Sequence, residues 1–173
     1  MGVNNMKILI AEDDRDIALL YTVALRAKNH HIVITHNGEE CLTIYRQELK
    51  NFISRTRCLE NNEQHVFDMV ILDYKMPGID GIEVAKDILR INPKQRIIIA
   101  SAYPSETLFY SMKELGHLVE LVQKPFDLST LFGMIETQHL SDSIGHSTLG
   151  DSILDRNNGV SQSICHSTLV PHF

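Results

Sequence analysis

The chain has 173 residues, enough for one domain of ordinary size plus an appendage and short for two full domains. Its 16 Lys and Arg against 22 Asp and Glu give a net charge of −6, and no basic patch of the kind that marks a nucleic-acid binder is present. No apolar run approaches the roughly 18 residues of a membrane span. No secretory leader is expected, since acids follow closely in "MGVNNMKILIAEDD", and Cys41, Cys58 and Cys165 lack CxxC spacing. A reduced, cytoplasmic, soluble protein is therefore expected.

Lys7–Ala11 (KILIA) reads as a strand. Asp14–Lys28 reads as a helix, because Ile17, Leu20, Tyr21, Ala24 and Leu25 recur at helical spacing. His31–Thr35 is a second strand, with His30-His31 at the turn before it and Asn37-Gly38 ending it. Glu39–Ile53 is a second helix and Phe67–Asp73 a third strand. Gly81–Ile91 is a third helix, stopped by Asn92-Pro93. Asp80 is its expected N-cap, and Glu83 three residues on completes a capping box. Arg96–Ser101 is a fourth strand, Glu106–Leu115 a helix closed by Gly116, and Leu118–Gln123 a fifth strand. A last helix runs from Asp127 to about Glu136.

Five consecutive βα units predict an α/β fold with a five-stranded parallel sheet covered on both faces. The nearly continuous apolar strands agree, since such strands are buried on both sides. In open sheets of this kind ligands bind outside the carboxyl ends of the strands. The residues at those ends are Glu12-Asp13-Asp14, Asp73, Ser101-Ala102 and Lys124-Pro125-Phe126. Crowded carboxylates stay ionised only beside a compensating cation, and oxygen ligands open to water suit Mg²⁺. Lys124 adds positive charge, Ser101 a hydroxyl, and the small Ala102 leaves room above Asp73. The set fits phosphoryl transfer onto a carboxylate, where the transferred oxygens need neutralising and little else is asked of the protein. Asp14 reads instead as a helix start that complements the helix dipole.

The stretches "ILIAEDDRDI", "VILDYKMPGIDGIEV", "IIIASAY" and "LVQKPF", in this order, resemble the receiver domain of two-component response regulators of the chemotaxis-regulator kind. The resemblance covers residues 6–137 and implies a doubly wound, flavodoxin-like single domain. It implies Asp73 as the phosphoacceptor, and Glu12, Asp13, Asp73 and the backbone carbonyl of Lys75 as Mg²⁺ ligands. Ser101 is then the hydroxyl that turns toward the phosphate, Lys124 the family's active-site lysine, and Pro125 its cis-proline. The implied donor is a sensor histidine kinase or phosphotransfer protein, and the implied output a protein effector. A homodimer through the fourth and fifth helices is compatible with the same resemblance. Such a domain is not an enzyme with a free substrate; self-phosphorylation and slow autodephosphorylation are its chemistry.

Three stretches depart from the family pattern. Lys50–His65 (KNFISRTRCLENNEQH) is an insertion that either lengthens the second helix, which its apolar spacing favours, or makes a long polar loop, and serves either as a tolerated surface addition or as a partner-specific surface. Leu121 stands where receivers carry the aromatic that reports phosphorylation, which questions that output route. Tyr103, two residues after Ser101, is expected to modulate access to the phosphate. The third departure is residues 138–173, a Ser- and His-rich tail in which "LSDSIGHSTL" returns as "VSQSICHSTL". Such a tail is expected to be disordered or to dock on a partner. Two rival readings follow: a receiver-like interaction module that acts without phosphorylation, and an aspartate-dependent phosphatase. The second needs another aspartate two residues after the nucleophile, where this chain has Lys75.

Overall fold

The computed structural model describes residues 5–56, 66–103, 105–116 and 118–136. The tail at 138–173 and the second half of the insertion lie outside these residues. The elements alternate strictly: β1 (Lys7–Ala11), α1 (Arg15–Ala27), β2 (His31–Thr35), α2 (Gly38–Thr56), β3 (Met69–Asp73), α3 (Gly81–Ile91), β4 (Ile97–Ser101), α4 (Glu106–Leu115), β5 (Val119–Gln123) and α5 (Leu128–Glu136). The five strands form one sheet in the order β2-β1-β3-β4-β5, with every pairing parallel. The doubly wound α/β fold expected from the sequence is the fold observed.

Side chains along each strand alternate between two cores, as the period of 2 requires. Leu9, Val70, Leu72, Ile97 and Ile99 face one way, against Leu42 and Tyr45 of α2, Ala85 and Ile88 of α3, and Leu108 and Met112 of α4. Ile8, Ile10, Met69, Ile71 and Ile98 face the other way, against Tyr21 and Leu25 of α1 and Leu131 and Ile135 of α5. Fully burying each such Ile or Leu contributes roughly 1.5–3 kcal/mol. That two-sided burial is why the strands read as unbroken apolar runs.

The chain leaves β1 toward β2 on one side and returns to β3 on the other. The strand order therefore reverses between β1 and β3, which opens a crevice at their carboxyl ends. Local chemistry fixes the turns around that crevice. Asp14 caps α1, accepting from the Asp16 and Ile17 amides at 2.9 and 3.1 Å. Asp80 caps α3 through the Glu83 amide at 2.9 Å. Gly81 lies against the end of β3, where a Cβ would sit 2.4 Å from the Asp73 carbonyl oxygen. Gly78 in the same turn has φ +82°, which L side chains rarely adopt. Gly116, with φ +91°, closes α4.

Boundaries differ from the sequence expectation in informative places. The second helix runs on to Thr56, so the first part of the insertion is helical. The fourth strand begins at Ile97, which leaves Arg96 buried below it. His30 is buried and accepts from the Met6 amide at 3.3 Å, while His31 already belongs to β2. Among the described residues no helix is long and apolar enough to cross a membrane.

Candidate functional site

A cavity of about 280 Å³ opens at the carboxyl ends of β1 and β3. Glu12, Asp13, Asp73, Lys75, Ser101, Ala102, Tyr103 and Lys124 line it, together with Asp14. Glu12 follows β1 and is only 2% exposed. Its amide donates to the Thr35 carbonyl at 3.0 Å, and His36 Nδ1 lies 3.1 Å from the Glu12 carbonyl oxygen. Asp13 is exposed beside it, and Asp73 ends β3 half-buried. Carboxylate oxygens of Glu12, Asp13 and Asp73 lie within 4.8 Å of one another.

Lys124 reaches this cluster from the end of β5. Its Nζ stands 2.7 Å from Glu12 Oε2 and 3.3 Å from Asp73 Oδ2. The Lys124 amide donates to the Ser101 carbonyl at 2.8 Å, which locks the two strand ends together. The Lys124–Pro125 peptide is cis, in line with the resemblance. The Ser101 hydroxyl is buried and accepts from the Tyr103 amide at 3.3 Å. Tyr103 itself is 80% exposed at the rim, next to exposed Ala102.

The electrostatics carry a strain. Burial raises the pKa of Asp73; Lys124 pulls it back, Asp13 adds to the rise, and a backbone hydrogen bond from Lys75 opposes it. Burial raises Glu12 as well, against the hydrogen bond and charge of Lys124 and with the help of Asp73 and Asp13. Asp14 stays out of the ligand set because its carboxylate is committed to the α1 cap. The donor set fits a small hard cation: oxygen atoms only, converging from two strand ends beside water.

Leu121 is placed elsewhere. It pairs with Ile99 across β4 and β5 and packs half-buried into the α2–α4 core, not the cavity. The sequence reading also missed a neighbour. Tyr21 of α1 stacks on Phe126, with centroids 5.8 Å apart and planes 8° from parallel. Burial first, then the charges of Glu12 and Asp73, raise its phenol pKa. Nothing local signals this pair, because its members lie far apart in the chain.

The family model of the response regulator receiver domain matches residues 8–136. The chain belongs to this receiver family. It is 32% identical to the sporulation initiation phosphotransferase F of Bacillus subtilis, an alignment covering 73% of this chain and 88% of that protein. It is also 32% identical to the transcriptional regulatory protein PdtaR of Mycobacterium tuberculosis, over 75% of this chain and 55% of that one. The transcriptional regulatory protein ZraR of Klebsiella oxytoca is 27% identical over 88% of this chain, but only 29% of its own length is spanned. Among solved structures, a CheY-like receiver from Methanospirillum hungatei superposes with a TM-score of 0.64 at 18% identity, covering 81% of this chain and 98% of that one. The CheX–CheY–BeF₃–Mg²⁺ complex of Borrelia burgdorferi gives 0.62 at 23% identity, over 78% and 89%. The receiver is thus a two-component signalling module whose acidic cluster can hold a metal ion.

Proposed function

We propose that this receiver is a single-domain response regulator that takes a phosphoryl group onto Asp73. The observation that carries the reading is the meeting of three carboxylates and the Lys124 ammonium in one water-open cavity. An Asp73 carboxylate oxygen attacks the phosphorus of a phosphohistidine. The P–O bond forms as the P–N bond breaks, and the imidazole departs with a proton from solvent. Glu12, Asp13, Asp73 and the Lys75 carbonyl are the residues to hold Mg²⁺, which when bound neutralises phosphoryl oxygens. Lys124 supplies a second positive charge to the same oxygens. Ser101 releases the Tyr103 amide and turns its hydroxyl to the phosphate, and Tyr103 and Ala102 set how freely water enters.

The donor is a sensor histidine kinase or phosphotransfer protein in the cytoplasm, and the output is a protein contact through the face of α4, β5 and α5. That same face is the one to test for a homodimer. Turnover of a free substrate is not part of this function beyond slow self-dephosphorylation.

Leu121 favours a second reading. An aliphatic side chain packed into the core gives no ring to swing between inner and outer positions. A module that signals through contacts without phosphorylation fits that feature, but leaves the charge cluster without a purpose. The test is to incubate the chain with Mg²⁺ and acetyl phosphate and to measure its intact mass beside Asp73→Asn. One added phosphoryl group, absent from the variant and from chelated samples, is the expected result. A folded chain that never gains mass turns the reading to the phosphorylation-independent module.

A further inference from the structure

The segment that carries Lys124 is held at three points. The Lys124 amide is tied to the Ser101 carbonyl at 2.8 Å. Asp127 accepts from the Thr130 amide at 2.7 Å at the start of α5. Between them, Phe126 lies flat on Tyr21 of α1. Tyr21 is 5% exposed and set in the α1–α5 core, with Phe126 at the margin of that core. The first two ties bind the segment to β4 and to α5. The stack binds it to α1, the helix whose capping loop carries Glu12 and Asp13.

This matters because a lysine is a point charge on a flexible four-carbon stem. Its ammonium meets Glu12 at 2.7 Å and Asp73 at 3.3 Å. Such a stem holds both distances in fewer conformers when the lysine's backbone and the acidic loop keep a fixed separation. The Tyr21–Phe126 pair spans those two arms of the cavity. We propose that Tyr21 is a positioning residue for phosphoryl transfer, acting through Phe126 on the placement of the Lys124 ammonium. The proposal rests on the reading of Asp73 as phosphoacceptor. The ring is the working part of Tyr21 and its hydroxyl is dispensable.

The experiment measures the second-order rate constant of phosphorylation of the full chain by acetyl phosphate, with Mg²⁺ affinity determined separately by calorimetry. Tyr21→Leu and Phe126→Leu should each slow transfer roughly three- to tenfold, the size expected for one lost aromatic pair. Mg²⁺ affinity should hold, since neither residue contributes a ligand atom to the Glu12, Asp13 and Asp73 cluster. Tyr21→Phe should restore the rate. In a Lys124→Ala background, Tyr21→Leu should add nothing, because the group it positions is gone. Should Tyr21→Leu fail to fold, the half-buried Phe126→Leu carries the test. Equal slowing with and without Lys124, or a wild-type rate in both leucine variants, overturns the proposal alone. A wild-type chain that never forms the adduct overturns the reading of Asp73 and the proposal with it.

Discussion

The two ends of the sheet both bury charge, and they handle it in opposite ways. At the amino end Arg96 is 6% exposed. Its Nε and Nη2 donate to Glu120 at 3.1 and 2.9 Å, and its guanidinium also donates to the Met134 and Ile135 carbonyls at the end of α5. Lys7 meets Glu48 at 2.5 Å in the same region, and Gln95 takes the Tyr45 hydroxyl at 2.9 Å. Arg96 and Lys7 there each find a carboxylate within the chain, in Glu120 and Glu48. At the carboxyl end three carboxylates gather around Lys124, and both Asp73 and Glu12 are pushed above their ordinary pKa values chiefly by burial. A structural ion pair is closed; the cavity is left short of positive charge. Perturbed carboxylates in a cleft make it a candidate functional site on physical grounds.

Breaking this contrast at its active end has the largest expected effect. Asp73→Asn should abolish the phosphoryl adduct in the mass measurement while keeping the fold by circular dichroism. In chelator it should also make the chain more stable to urea, since one repelling carboxylate is removed. The matching change at the closed end works the other way. Arg96→Ala should cost about 2–3 kcal/mol in urea titration, because Glu120 and two helix carbonyls lose their donor. The folded fraction should still take the phosphoryl group at Asp73. A loss of phosphorylation beyond the loss of fold would join the two ends and undo the contrast.

Next in size is the response to the cation. Mg²⁺ at tenfold its Kd should raise stability by about 1.4 kcal/mol through mass action on the folded state alone. Asp13→Asn should remove most of that gain. Asp14→Ala is the control within the same acidic triplet. It should cost about 1 kcal/mol by loss of the α1 cap and leave the Mg²⁺ response intact.

These contrasts also show how much of the molecule was legible in its sequence. The strands were, because two-sided burial makes them unbroken runs of Ile, Val and Leu. The cavity was, because parallel topology sends every strand end to one edge, so Glu12, Asp73, Ser101 and Lys124 meet although up to 112 residues separate them. Asp14 and Asp80 were, because capping is local. Arg96 was not: it reads as the first residue of "RIIIAS", and its partners Glu120 and the α5 carbonyls lie 24 to 39 residues away. Tyr21 was visible only as one more apolar helix position, since its stacking partner Phe126 lies far along the chain. Long-range pairs between unlike elements leave no periodic trace.

The smallest effect is the pH dependence of the same imbalance. Burial raises the folded-state pKa of Asp73 above its ordinary 3.8, against the pull of Lys124. Such a carboxyl binds more protons folded than unfolded, so it favours folding at low pH. That contribution fades as pH rises from about 3.8 through the raised folded value. Asp127 runs the opposite way, its pKa lowered by hydrogen bonds to Thr130 and Ser129. It is common to wild type and Asp73→Asn, so it cancels in their difference. In chelator, wild-type stability minus that of the variant should therefore fall across this window and level off above it. Mg²⁺ should flatten or reverse the fall, because bound cation favours the ionised carboxylate. A difference that climbs with pH in chelator would mean that Lys124 outweighs burial, and that the carboxyl end is as closed as the amino end.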